Sequence, residues 1–126
     1  MAQQSDPVRV IEQFVAAYNR GDVEGVLAVC DEDIRVVHHN RGFSIAGRRA
    51  FADTLNAFKD LVPDKKFSAR RAIFRDGDAV IVEHTWGGKA TADIPGFGAK
   101  GETIALDLCT RYTVRDGLIV EYHDYG

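Results

Sequence analysis

The sequence predicts an α+β fold in which a curved antiparallel sheet packs against N-terminal helices. Three observations carry that prediction. Apolar residues recur at helical spacing only in the first half of the chain, at Val8, Ile11, Phe14, Val15 and Tyr18 and again at Phe51, Leu55 and Phe58. Alternating, strand-like runs dominate the second half. Two turn signals, Asp76-Gly77-Asp78 and Arg115-Asp116-Gly117, each join a pair of such runs. Helices and strands segregated in this way argue against a parallel sheet built from βαβ units.

Taken in order, Pro7 suits a first helical turn, with Ser5 and Asp6 before it as cap candidates. Gly21 should end that helix, and Asp22 can cap a short second one marked by Val23, Val26, Leu27 and Cys30. Asp31 to Asp33 reads as a polar break. Ile34 to Asn40 alternates as a strand, and Arg41 to Gly47 reads as a loop. A third helix fits Arg48 to Leu61, stopped by Pro63. Strands follow over Phe67 to Arg75, Ala79 to Trp86, Thr103 to Val114 and Leu118 to Tyr125. Between Gly87 and Gly101 the glycines and Pro95 are too frequent for a continuous strand, so a loop or frayed strand end with a mobile tip is expected.

Composition bounds the function. The chain has 126 residues, which suits one domain spanning 1–126. With 45% hydrophobic and 28% charged residues it has ordinary globular usage, which excludes a disordered or fibrous class. A net charge of -3 with interspersed signs offers no basic face for nucleic acid. The pairs Arg48-Arg49 and Arg70-Arg71 are too short to alter that. No apolar run approaches the ~20 residues that span a bilayer, and the polar N-terminus has no signal-peptide core. Cys30 and Cys109 fit neither a metal spacing nor a disulfide framework, so a reduced, cytoplasmic setting is the expectation.

Strand parity then sorts side chains into an inner and an outer set. Ile104, Leu106, Leu108, Thr110, Tyr112 and Val114 should share the concave face with Leu118, Val120, Tyr122 and Asp124. Val80, Val82, His84 and Trp86 join them, as do Ile34, Val36 and His38. An apolar face holding a few convergent polar groups is the composition of a small-molecule pocket. The convex face would carry Val37, Ile81, Ala105, Cys109 and Ile119, a half-apolar surface that suggests a two-fold homodimer.

The pattern resembles the nuclear transport factor 2-like superfamily, whose cystatin-like, cone-shaped fold serves ketosteroid isomerases, SnoaL-like polyketide cyclases and limonene epoxide hydrolases. The resemblance rests on Asn19-Arg20-Gly21-Asp22, on Cys30 to Asp33 leading into the first strand, and on Ala46-Gly47-Arg48 before the third helix. It extends to Val114-Arg115-Asp116-Gly117-Leu118-Ile119-Val120-Glu121 in the last hairpin. These residues mark the fold and say little about chemistry. By that resemblance the general-base position falls at His38. The two oxyanion donors of the isomerases fall at Phe14 and Thr110, which argues against steroid isomerisation. His123-Asp124-Tyr125 is similar to the stretch that holds the water-activating Asp of the epoxide hydrolases, whose Asn partner corresponds to Asn40. Their Arg and second Asp fall at His84 and Trp86, so that set is incomplete.

The candidate chemistry is therefore an acid/base pair of Asp124 with His38 or His84, in which a carboxylate fixes the imidazole tautomer. The plainer alternatives are a solvated Asp124 at the sheet rim and two core histidines without a task. Tyr18, Trp86, Tyr112 and Tyr122 are core aromatics by default, though some could line the mouth and contact a flat ligand. Gly96 to Gly98, with Phe97 between, reads as a plain loop or a lid. Metal binding is not expected, because adjacent strand residues His38 and His39 should point to opposite faces. The glycines lack the strand-then-helix context of a phosphate cradle. The leading expectation is a cofactor-independent isomerase, cyclase or hydrolase acting on a small hydrophobic organic molecule. A non-catalytic ligand-binding or dimerisation module is the alternative, and a protein-interaction subunit using the convex sheet is a third.

Overall fold

A computed structural model describes residues 6–126. Its first helix, α1 (Pro7–Asn19), starts where Asp6 accepts a hydrogen bond from the Val8 N–H at 3.0 Å. That bond satisfies one of the orphan donors of the first turn. Ser5, the other cap candidate, lies outside the described residues. The buried stripe of α1 is Val10, Ile11, Phe14, Ala17 and Tyr18, while Val8 and Val15 are half-buried at its margins. Asp22 caps α2 (Val23–Leu27) through the Gly25 N–H at 2.9 Å.

Strand β1 (Cys30–His38) begins earlier than expected. The sequence pattern puts Cys30 in the second helix and Asp31 to Asp33 in a break, yet all of them are in the strand, which shifts register between Cys30 and Arg35. A bulge admits polar residues that strict alternation would place wrongly. The expected loop after it also holds β2 (Phe43–Ala46), a short edge strand antiparallel to β1. Its Phe43 and Ile45 alternate with Ser44 and Ala46 over too few residues to register as periodicity. Helix α3 (Arg48–Leu61) occupies its expected span and buries Phe51 and Leu55.

The remaining strands are β3 (Lys66–Asp76), β4 (Ala79–Lys89), β5 (Thr103–Arg115) and β6 (Leu118–Tyr125). The sheet order is β2-β1-β6-β5-β4-β3. All neighbours are antiparallel except β1 and β6, which run parallel. Helix α1 lies across the inner face and touches β3 through β6. The β5–β6 turn has Asp116 at φ 53 and Gly117 at φ 78, the doubly positive geometry that matches strand twist.

Two expectations about the strands need correction. In β6, Thr113 pairs with Glu121 but Val114 pairs with Ile119, so Val120 has no opposite number. This bulge rotates the start of the strand: Ile119, expected outside, is fully buried, whereas Leu118 and Val120 are half-buried. Beyond the bulge, Tyr122 and Asp124 do face inward. In the glycine-rich segment, β4 continues through Gly87 and Gly88, paired with Ala105 and Ile104. A Cβ on Gly87 would sit 1.8 Å from the Ile104 carbonyl oxygen, so the glycine permits the strand there and does not break it. The loop is confined to 90–102. Among the described residues no helix is long and apolar enough to cross a membrane.

Candidate functional site

The parallel pairing of β1 with β6 sets His38 opposite Asp124 and Val36 opposite Tyr122, all on the concave side. Neighbouring β5 sets Thr110 opposite Asp124, and β4 sets Val82 opposite Thr110 with His84 one inward step along. Four adjacent strands, β1, β6, β5 and β4, thus deliver one polar side chain each to one line.

That line is continuous. His38 Nδ1 lies 3.0 Å from Asp124 Oδ2, and the Asp124 side chain is only 2% exposed. Thr110 Oγ1 donates to the other carboxylate oxygen, Oδ1, at 2.6 Å. Its single proton being committed, Thr110 can only accept from His84, whose Nε2 is 2.9 Å away. This places the His84 proton on Nε2. Burial pushes the His84 pKa down from 6.5 to about 4, against the pull of the Asp124 charge. His84 is thus a neutral donor, stacked on Phe67 with ring centroids 4.5 Å apart.

With Nδ1 held by Asp124, Nε2 is the His38 nitrogen left for the cavity that this residue lines. The ring is flanked by Phe43 at 5.3 Å and Tyr122 at 6.0 Å. The cavity is small, with an internal volume of about 50 Å³, and it opens to solvent. Its floor is Val36, Tyr122, Leu108 and Asp124. Its walls come from Phe51, Leu55 and Phe58 of α3, with Trp86, Phe97 and Arg41. Tyr18 also lines it and accepts a 2.7 Å hydrogen bond from Trp86 Nε1. Lys65 Nζ lies over the Tyr18 ring, 3.7 Å from its centroid. Burial first, then the Asp124 charge, raises the Tyr122 phenol far above its ordinary pKa of 10.0, so it stays protonated.

The structure brings together His38, Asp124, Tyr18, Trp86 and Tyr122 at the cavity. The other named residues stand elsewhere. Phe14, Thr110 and Tyr112 are fully buried behind its wall, so they cannot touch a ligand directly. His84 is also behind the wall and reaches Asp124 only through Thr110. Asn40 is exposed and accepts from the Gly126 N–H at 3.0 Å, outside the cavity. The Tyr112 hydroxyl is buried without a hydrogen-bond partner among the described residues. His39 is not in the strand but opens a 3-10 turn, His39–Arg41, and stacks on Tyr125 at 4.3 Å.

Sequence reasoning missed Arg41, Thr54 and the wall formed by α3. The stripe Phe51, Leu55 and Phe58 was legible, but its exposure to a cavity was not. Phe97 reads in the sequence only as part of a plain loop or lid; in the fold it packs on Phe58 at 5.4 Å and Trp86 at 5.9 Å.

Residues 11–122 match the family described as the SnoaL-like domain. No curated protein matches the chain. Among solved structures it is similar to a candidate polyketide cyclase from Xanthomonas campestris pv. campestris, at 27% identity and a TM-score of 0.82, covering 95% of this chain and 89% of that one. A second candidate polyketide cyclase, from Pseudomonas putida KT2440, aligns at 22% identity and a TM-score of 0.84, over 97% and 92% of the two chains. A protein from Catenulispora acidiphila with a ketosteroid isomerase-like fold, in complex with trimethylamine, aligns at 19% identity and a TM-score of 0.77, over 93% and 84%. The last two likenesses concern the fold alone.

Proposed function

The chain belongs to the SnoaL-like domain family, and from that membership we propose that it is an acid/base enzyme acting on a small aromatic or apolar molecule. The observation that carries this reading is the His38–Asp124 pair, 3.0 Å apart, at the inner wall of an aromatic cavity. A carboxylate shielded from water holds the imidazole in one tautomer and stabilises the imidazolium formed when the ring accepts a proton. His38 Nε2 would take a proton from a ligand carbon next to a carbonyl. The C–H electron pair then becomes an enolate, and the imidazolium returns the proton at another atom. Thr110 and His84 act behind the pair as positioning residues, because neither reaches the cavity. Isomerisation and aldol-type cyclisation both begin with such a transfer. The likeness to a candidate polyketide cyclase supports a carbonyl-bearing ligand.

The test needs no knowledge of the natural product. Aromatic ketones such as 2-tetralone are incubated in deuterated buffer, and exchange at the acidic carbon is followed by proton NMR. Exchange above the buffer rate is expected with the wild type, falling by about 10²–10⁴-fold in His38→Ala. Exchange at the buffer rate across a panel of such ketones would sink the enzyme reading. If those ketones nevertheless bind, the alternative of a non-catalytic ligand-binding module takes its place.

A further inference from the structure

Arg41 closes the 3-10 turn that follows β1 and is the one Lys or Arg among the residues lining the cavity. Its Nε donates to the Gly96 carbonyl at 3.1 Å, and Nη1 donates to a Gly126 oxygen. The guanidinium carbon lies 5.0 Å from the Phe97 ring centroid. These contacts fix the group at the mouth, between the C-terminal end of the sheet and the 90–102 loop. None of the side-chain ion pairs among the described residues involves Arg41. A guanidinium also carries more N–H donors than these bonds use. The cavity's single carboxylate, Asp124, is turned to His38 and Thr110, which take both of its oxygens.

A mostly apolar slot therefore has one fixed, permanently charged cation at its rim, with donors to spare and an aromatic ring beneath it. A planar fork of this kind matches a planar anionic oxygen group better than a neutral one. We propose that Arg41 makes the cavity select aromatic molecules bearing an anionic oxygen, whether a carboxylate or an enolate. The proposal rests on the cavity being a ligand site, as the acid/base reading holds, and it names the ligand class.

Trp86 is the sole tryptophan of the sequence and lines the cavity, so its emission reports occupancy directly. Titration with phenylacetate and with its neutral isostere phenylacetamide should show the anion binding about tenfold more tightly. The preference should shrink as salt is raised, vanish in Arg41→Met and survive in part in Arg41→Lys, which keeps the charge without the fork. Equal affinities in the wild type, or an unchanged preference in Arg41→Met, would overturn the role of Arg41 while leaving the cavity as a site. If Arg41→Met does not fold, the wild-type preference and Arg41→Lys decide. If neither compound changes Trp86 emission at millimolar concentration, both this proposal and the ligand-site reading fall.

Discussion

Strand β6 carries two histidine–carboxylate pairs on opposite sides of one sheet. On the inner side Asp124 meets His38 at 3.0 Å with its side chain 2% exposed. On the outer side Glu121 meets His123 at 2.7 Å, with side chains 39% and 12% exposed. The outer pair continues to His39, whose Nε2 is 2.9 Å from His123 Nδ1. By distance alone the outer pair is the tighter. By physics it is the weaker, because water competes for every atom it leaves exposed and salt screens what remains. The inner carboxylate has no such recourse: at 2% exposure its protein partners must replace its hydration. Identical chemistry is an obligation inside the sheet and an option outside it.

Removing the inner carboxylate should therefore have the largest effect. Asp124→Ala leaves the Thr110 hydroxyl and His38 Nδ1 without their acceptor, and a stability loss of about 3 kcal/mol is expected in urea unfolding. The milder Asp124→Asn keeps the volume and should cost less stability while freeing the His38 tautomer. A loss in Asp124→Ala no greater than for a typical surface substitution would mean that the buried line does not act as a unit.

A smaller effect is expected from His84, and it depends on pH. Its pKa is about 4 in the fold against 6.5 ordinarily. Below pH 6.5 the unfolded chain takes up a proton that the folded chain refuses, so the stability present above 6.5 is lost as pH falls towards 4. The loss should be on the order of 2 kcal/mol across that window. His84→Gln keeps a donor for Thr110 but cannot titrate, and its unfolding midpoint should fall less steeply between pH 6.5 and 4. Parallel curves for the two proteins would show that His84 is not the residue that carries the acid limb.

Why the inner line was partly legible follows from where the sheet is regular. Strands β4 and β5 pair without interruption from Ala79 and Thr113 to Lys89 and Thr103, so parity alone put Val80, His84, Trp86, Thr110 and Tyr112 on the correct side. In β6 the bulge at Val120 broke the count for Leu118 and Ile119. Tyr122 and Asp124 escaped the error because they lie beyond it. The meeting of His38 with Asp124 depends on a parallel pairing between strands far apart in sequence, for which local alternation carries no signal. The cavity walls were harder still. A helical stripe such as Phe51, Leu55 and Phe58 looks the same whether it meets packed core or open space. Arg41 belongs to a short turn with no period at all, and only the folded loop at Gly96 and Phe97 shows where its charge is held.

The outer pair supplies the smallest expected effect and the control for the rest. The hydrogen bond from His123 is the main reason the Glu121 pKa lies below its ordinary value, so the contact is real in geometry and still cheap to lose. Glu121→Gln keeps an acceptor for His123 Nε2 and removes only the charge. Its unfolding free energy should change by less than about 0.5 kcal/mol, and that remainder should disappear in high salt. The comparison between the two sides turns on this variant. If Glu121→Gln costs as much as Asp124→Ala, burial is not what separates the pairs, and the outer histidines belong to the machinery on equal terms. If it is silent while Asp124→Ala is severe, the sheet itself divides a solvated pair from a working one, and β6 does so by the alternation of adjacent side chains.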